Sequence, residues 1–153
     1  MKNKIFDNIH RNIYIINQKK SIILHSRHLK LISESIKALQ YSYSPYSNFK
    51  VGAALLTDTD KIYTGANIEC ASYSLTLCAE RVAFAKAITE GESKFKAIAI
   101  ANNNNKFIFP CGACRQFMME FSKDLKVILV KSQDVYKIYE LKDLLPENFS
   151  LNK

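Results

Sequence analysis

Two short cysteine-bearing stretches constrain this chain more than any other feature of its sequence. The first is Cys78-Ala79-Glu80-Arg81, and the second is Pro110-Cys111-Gly112-Ala113-Cys114-Arg115-Gln116. Cys78, Cys111 and Cys114 together offer three thiolates to one zinc ion, which leaves its fourth tetrahedral position open. Three protein ligands with an open position are typical of a catalytic zinc site and not of a structural one. Glu80, two residues after the first thiol, is then placed to exchange protons at that position.

The surroundings of the cysteines favour thiolate ligands. Both stretches fall where helices are expected to begin, and the positive end of a helix lowers the pKa of a nearby thiol. Arg81 and Arg115 lie close to the ligands in the sequence, so we expect them to donate hydrogen bonds to the sulfurs. Such bonds would restore some of the Lewis acidity that three thiolates take from the zinc. Cys70 leaves an alternative open, because a fourth thiolate would close the site and make the zinc structural. Alternatively, Cys70 is a small, buried side chain that takes no part in zinc binding.

The composition indicates a globular protein of one domain. At 153 residues and 48% hydrophobic content, the chain is long enough to bury a core without disulfides. It has no run of 18 apolar residues, so we expect no membrane span. Cysteines in a C-x-x-C arrangement favour metal or redox chemistry in a reducing compartment. A cytoplasmic location is therefore expected.

The net charge of +8 is concentrated at the N-terminus. Residues 1–30 hold seven of the 22 basic residues but one of the 14 acidic residues, so the remainder is nearly neutral. A protein that binds a polynucleotide usually has a basic stripe beside its working site, and this distribution favours a small, uncharged substrate instead. We expect residues 1–26 to be a basic extension, partly ordered or disordered, and residues 27–153 to be the catalytic domain. Organellar targeting by the extension is the alternative.

The hydrophobic pattern predicts alternating strands and helices. Helices are predicted at 27–40, Cys78–Glu90 and Pro110–Ser122, with Gly91 as the stop of the second. Strands are predicted at Phe49–Thr57, Lys61–Thr64, Phe95–Ala101, Leu125–Lys131 and Val135–Leu141. This alternation is typical of an α/β sandwich.

Five motifs between Tyr43 and Phe149 resemble one family. They are YSPYSNFKVGAAL, GANIECASYSL, LCAERVA, PCGACRQF and LLPENF. The chain resembles the cytidine deaminases of the small, homotetrameric, three-cysteine kind. The resemblance implies a three-layer α/β/α sandwich with a mixed five-stranded central sheet, one Zn²⁺ per subunit, and sites shared between the subunits of a homotetramer. The implied activity is hydrolysis of cytidine and 2′-deoxycytidine to the uracil nucleosides and ammonia, as in pyrimidine salvage.

The resemblance also implies substrate contacts. Phe49 is expected near the sugar and base, and Asn67 and Glu69 at the ribose 3′-hydroxyl. Tyr73 and Phe149 are expected to reach the site of a neighbouring subunit. Without the resemblance, the aromatic residues would be read as packing residues and the two polar residues as solvated loop residues.

Two further functions remain open at this stage. The first is a deaminase on the same scaffold that acts on a nucleoside antibiotic or a polynucleotide. The second is a non-catalytic zinc protein in which Cys70, where the family usually has Asn, completes the tetrahedron.

Overall fold

The computed structural model describes residues 26–151. The chain divides into two units, residues 1–30 and 31–153. Of the first unit, residues 26–30 are described, and they are helical. The predicted extension, residues 1–26, lies outside the described residues except for Ser26. Within residues 26–151, no helix is both long enough and apolar enough to cross a bilayer.

The second unit is built from four α-helices and five strands in its described part. Helix α1 covers residues 31–38 and passes into a 3₁₀ turn, Leu39–Tyr41. Strands β1 (Val51–Thr57) and β2 (Ile62–Ala66) follow, and then a second 3₁₀ turn, Tyr73–Leu75. The chain continues through α2 (Ala79–Thr89), β3 (Phe95–Asn102), α3 (Gly112–Phe121), β4 (Lys126–Ser132), β5 (Val135–Glu140) and the short α4 (Leu141–Leu144).

The strands form one mixed sheet in the order β2-β1-β3-β4-β5. β1 pairs antiparallel with β2 and β3, β3 pairs parallel with β4, and β4 pairs antiparallel with β5. The central strands are continuous apolar runs, as expected for strands that are covered on both faces. The predicted five-stranded mixed sheet is therefore confirmed.

Helices cover both faces of this sheet. On one face, Leu55, Ile98 and Leu129 of the sheet pack in a core with Phe84 of α2 and Met118 of α3. On the other face, neighbouring positions of the same strands, among them Leu56, Ala97 and Ile128, pack in a core with Leu31 and Ile32 of α1. Alternate residues of a strand point to opposite faces, so each strand serves both cores. The predicted three-layer α/β/α sandwich is confirmed.

The ends of α2 and α3 position the cysteines. Cys78 and Cys111 are the N-cap residues of the two helices. Gly91 lies just beyond the C-cap of α2 with φ of 91°, a left-handed conformation that favours glycine, as predicted. The start of α3, expected at Pro110–Cys111, agrees at Cys111, which is the N-cap, whereas Pro110 lies one residue before it. The Pro110 carbonyl accepts a hydrogen bond from Arg115.

Candidate metal centre

Three cysteine sulfurs converge where helices α2 and α3 begin. The Sγ atoms of Cys78, Cys111 and Cys114 all lie within 4.8 Å of one another, and those of Cys78 and Cys111 are 3.9 Å apart. Two thiolates bound to one tetrahedral zinc at about 2.3 Å each would lie about 3.8 Å apart. The sulfur donors therefore fit a single zinc ion. Cys114 is buried and Cys111 is exposed, so the group opens toward solvent on the Cys111 side.

The thiols also influence each other electrostatically. A hydrogen bond from Cys114, with help from Arg81 and Cys111, lowers the pKa of Cys78 to about 5. The same hydrogen bond, together with burial, raises the pKa of Cys114 far above its usual range. Without a metal ion, these opposite shifts favour the thiolate at Cys78 and the protonated thiol at Cys114. Zinc displaces thiol protons when it binds, because the thiolate is the ligand.

The two arginines of the cysteine stretches have different partners. Nη2 of Arg81 lies 2.9 Å from the Thr76 carbonyl and 3.9 Å from the sulfur of Cys78, the contact expected of it. Arg115 instead donates to two backbone carbonyls, those of Pro110 and Leu144, both at 2.8 Å. Arg115 therefore ties the start of α3 to the C-terminal segment.

Glu80 is a buried carboxyl beside this cluster. It is the second residue of α2, and 4% of its surface is exposed. Burial raises the pKa of Glu80 to about 7, and the neighbouring charge of Cys78 adds to this effect. A carboxyl whose pKa lies near neutrality is suited to both accepting and returning a proton.

A cavity of about 390 Å³ opens beside the sulfurs. Six of the residues singled out from the sequence line it: Phe49, Asn67, Glu69, Cys78, Glu80 and Cys111. A volume of this order suits a small molecule rather than a polymer. The structure thus brings Asn67 and Glu69 of the loop after β2 together with the Phe49 ring, the Glu80 carboxyl and the thiols of Cys78 and Cys111.

Asn67 and Glu69 are already hydrogen-bonded within the protein. Asn67 is buried, its Oδ1 accepts from the Val51 amide at 2.8 Å, and its Nδ2 donates to the Phe49 carbonyl at 2.8 Å. Because a side-chain amide carries two N–H donors, the second N–H of Asn67 Nδ2 can donate to another partner. The Glu69 carboxylate accepts from the amides of Tyr46 and Ser47 at 3.0 and 3.2 Å and from the Ser47 hydroxyl. These bonds hold the pKa of Glu69 below its usual range, and the Ser47 hydroxyl has the largest effect.

Tyr73 and Phe149 lie outside the lining of this cavity. Tyr73 is 73% exposed, and its ring lies 6.1 Å from that of Tyr46. Phe149 is 67% exposed, and its backbone is held by Gln116 of α3. Gln116 Nε2 donates to the Phe149 carbonyl at 2.7 Å, and Gln116 Oε1 accepts from the Phe149 amide at 3.3 Å. Both aromatic side chains therefore project from the surface of this single chain.

Sequence reasoning missed six cavity residues that the structure adds: Ser47, Val51, Thr76, Ala79, Ile108 and Phe109. For the last two a signal was available, since the apolar run Phe107–Phe109 directly precedes the second cysteine stretch. For Ser47 no signal was available, because its partner Glu69 is 22 residues away.

Cys70 does not belong to the thiol cluster. Among the His, Cys, Asp and Glu residues of the described chain, the cluster consists of Cys78, Cys111 and Cys114. Cys70 is half-buried, and its amide donates to the Thr76 hydroxyl at 3.2 Å. The hypothesis of a fourth zinc ligand at this position is therefore not supported, and neither is full burial of its side chain.

Fold and site together define a class of protein. A mixed sheet between two layers of helices presents three thiols at two helix starts, with a buried carboxyl and a small cavity beside them. These are the parts of a zinc-dependent deaminase, in which a glutamate that is not a ligand stands beside a zinc site with an open position.

Comparison with known proteins identifies the family. Residues 25–131 match the family described as the cytidine and deoxycytidylate deaminase zinc-binding region. A probable cytidine deaminase of Dictyostelium discoideum is 49% identical over 79% of this chain and 82% of its own length. The cytidine deaminase of Sporosarcina psychrophila is 46% identical over 79% and 90%.

Solved structures agree with this result. The crystal structure of cytidine deaminase from Burkholderia pseudomallei superimposes with a TM-score of 0.76 at 45% identity, covering 80% of this chain and 98% of that one. That from Mycobacterium tuberculosis gives 0.71 at 36% identity, covering 80% and 96%. The chain belongs to the cytidine and deoxycytidylate deaminase family. The resemblance predicted from the sequence and the predicted zinc cofactor are confirmed.

Proposed function

We propose that this chain hydrolyses cytidine and 2′-deoxycytidine to uridine and 2′-deoxyuridine, with release of ammonia. The observation that carries the proposal is the buried carboxyl of Glu80 beside three converging thiols in a cavity of about 390 Å³. The two relatives described above are named a probable cytidine deaminase and a cytidine deaminase, which supports the same substrate.

Cys78, Cys111 and Cys114 would hold the zinc ion, and zinc held by them supplies an activated water as the nucleophile. Glu80 accepts a proton from the attacking water and delivers it to N3 of the pyrimidine ring. It then carries a proton to the amine that leaves C4 as ammonia. The raised pKa of Glu80 suits it to both transfers. Backbone N–H groups in the first turns of α2 and α3 are available to stabilise charge that develops at the reacting carbon.

The remaining cavity residues would bind the nucleoside. We assign Phe49 to contact with the base and sugar, and Asn67 and Glu69 to the ribose 3′-hydroxyl. The free donor of Asn67 and the charged carboxylate of Glu69 support this assignment, because a hydroxyl group both donates and accepts.

The assembly belongs to the same proposal. We assign Tyr73 and Phe149 to the sites of neighbouring subunits in a homotetramer, because both are exposed aromatic residues outside the cavity of their own chain. The catalytic domain would comprise residues 27–153. A cytoplasmic location is supported by the free thiols, since a reducing compartment keeps such a cluster available for zinc.

The two alternative functions are not favoured. A non-catalytic zinc protein would need a closed site, and Cys70 stands outside the thiol cluster. A polynucleotide substrate would call for a basic stripe beside the cavity, whereas the ionisable residues that line the cavity are two carboxyls and two thiols. A competition of cytidine against single-stranded oligonucleotides at physiological salt decides between substrate classes.

One assay tests the function and the cofactor together. Purified protein is mixed with cytidine, and the ultraviolet absorbance and the ammonia released are followed before chelation, after chelation and after zinc is restored. We expect turnover that chelation abolishes and zinc restores. Absence of turnover of either nucleoside by the zinc-loaded protein would refute the proposed function.

A further inference from the structure

The backbone around Phe49 is held by side chains instead of by a strand. Residues 48–50 have no regular secondary structure, and Asn48 has a left-handed φ of 56°. Unpaired backbone groups are costly away from water, so the partners of this segment reveal what fixes it. The Phe49 amide donates to Ser47 Oγ at 3.0 Å, and the Phe49 carbonyl accepts from Asn67 Nδ2 at 2.8 Å.

Asn103 binds the residues on both sides of Phe49. Its Oδ1 accepts from the Lys50 amide at 3.1 Å, and its Nδ2 donates to the Asn48 carbonyl at 3.0 Å. Its own backbone amide donates to the Lys50 carbonyl at 3.1 Å. The two side-chain bonds hold the two peptide groups that flank Phe49, and the backbone bond holds the next peptide group, between Lys50 and Val51. Asn103 and Asn48 are 55 residues apart in the sequence.

Asn103 itself stands on a fixed loop. It directly follows the last residue of β3, Asn102, whose side chain donates to the Lys106 carbonyl at 2.6 Å and accepts from the Asn104 amide at 3.0 Å. The side chain of Asn103 is exposed and does not line the cavity. Asn103 therefore connects the sheet to a cavity wall without touching the cavity.

We propose that Asn103 is a positioning residue for Phe49, and that it sets the affinity for the nucleoside through that ring. The kinetic part of this role rests on the proposed function. Phe49 has no ionisable group, so its displacement weakens binding and leaves proton transfer unchanged. Without the two side-chain bonds of Asn103, Phe49 must be ordered when the substrate binds, which should raise KM by roughly three- to tenfold while kcat and zinc content stay as in the wild type.

Fluorine NMR tests the positioning step independently of turnover. The protein is labelled with 4-fluorophenylalanine at its nine phenylalanines, and the signal of Phe49 is assigned from the Phe49→Leu variant. We expect Asn103→Ala to shift and broaden that signal selectively. The matched control is Asn104→Ala, a change at the next exposed residue of the loop, which should leave the signal in place. A Phe49 signal that is the same in Asn103→Ala and in the wild type overturns the proposal.

Two further measurements separate positioning from a general loss of stability. Asn103→Asp keeps an acceptor for the Lys50 amide but places a carboxylate oxygen where Nδ2 donated to the Asn48 carbonyl, so its KM should also exceed that of the wild type. In the Phe49→Leu background, Asn103→Ala should change KM no further. An equal effect of Asn103→Ala in both backgrounds overturns the proposal. Should the wild type fail to deaminate cytidine, the proposed function fails alone, and the NMR comparison still decides the role of Asn103.

Discussion

Two carboxyl groups of the cavity lie in opposite environments. Glu80 is buried, and the burial raises its pKa to about 7. Glu69 accepts hydrogen bonds from the Ser47 hydroxyl and from two backbone amides, and its pKa is lowered. At neutral pH one group can therefore exchange protons while the other stays charged. The same residue type thus supports proton transfer at one end of the cavity and hydrogen bonding at the other.

Glu80→Gln removes proton transfer with little change in side-chain volume. We expect the variant to fold and to bind one zinc ion, but to lose at least about a hundredfold in kcat, the lower range for a general acid–base group. Zinc content and kcat are measured on the same preparation. Glu90→Gln, the same change at the opposite end of α2, is the control and should keep wild-type kcat. Activity of Glu80→Gln within tenfold of the wild type would contradict the mechanism.

Ser47→Ala should change the titration of Glu69. The Ser47 hydroxyl is the largest cause of the lowered pKa, so removing it should move the pKa of Glu69 up toward its ordinary value of 4.5. A lowered pKa in the folded state stabilises the protein above the ordinary pKa, and this contribution is lost as the pH falls through the folded pKa. The pH-dependent part of the stability lost in Ser47→Ala should therefore be present at pH 6 to 7 and fade below about pH 4. Carbon-13 NMR titration of the Glu69 carboxyl measures its pKa, and unfolding curves at pH 6 to 7 and below about pH 4 measure the loss of stability. An unchanged Glu69 titration in Ser47→Ala would contradict the assigned cause.

At the scale of elements, hydrophobic periodicity predicted all five strands and helices α1, α2 and α3, but it did not predict the short helix α4, Leu141–Leu144. In the predicted elements, the errors lie at the boundaries. The first strand was predicted from Phe49 but begins at Val51, because Ser47, Asn67 and Asn103 bind the backbone that a strand partner would otherwise bind. The second strand was predicted to end at Thr64 but continues to Ala66 and so includes Gly65. Hydrogen bonds from side chains to the backbone, and close packing of one element on another, do not change the hydrophobic periodicity of a sequence. Periodicity therefore cannot predict them.

The candidate site likewise has a part that could be predicted from the sequence and a part that could not. The three cysteines and Glu80 could be predicted, because their spacing is local and their chemistry is specific. The contact of Arg115 with the Leu144 carbonyl could not be predicted, since it joins elements 29 residues apart. Contacts of this kind depend on the packing of the folded chain rather than on local pattern.

Gly65 lets β2 approach the helix that carries Cys78 and Glu80. A Cβ atom at Gly65 would lie 2.3 Å from the Ala79 carbonyl oxygen and 2.5 Å from the Ala83 nitrogen, both backbone atoms of α2. Gly65→Ala should therefore displace α2, lower stability by about 1–3 kcal/mol, and weaken zinc retention. Gly112→Ala is the control for stability, because within the described chain its added Cβ would have no neighbour within 4 Å apart from adjacent residues and the nearby backbone of its own helix. Thermal unfolding and zinc content of both variants test this expectation. Equal stability of Gly65→Ala and the wild type would contradict this expectation, because it would show that α2 can move away from β2 without a loss of stability.

At the scale of the whole molecule, the charge and the apolar surface point to different partners. The positive charge is concentrated in residues 1–30, and the remainder is nearly neutral, which suits an uncharged nucleoside. Large apolar side chains are exposed on the described part of the chain, among them Tyr43, Tyr73, Leu75 and Phe149. Exposed apolar residues in such number are typical of a surface that another protein covers. A homotetramer would cover them with further copies of this chain.

Sharing of sites between subunits can be tested by complementation. Glu80→Gln and Phe149→Ala are each measured alone, and Leu151→Ala serves as the control for loss of an exposed apolar side chain near the C-terminus. The two variants are then co-expressed with different tags, and mixed assemblies are purified. If Phe149 acts in a neighbouring site, half of the sites have an intact Glu80, and half of these face an intact Phe149. About a quarter of the wild-type activity should then return in randomly mixed homotetramers. If each site were built from one chain, every site would carry one of the two defects, and the mixture would stay at the average of the two variants.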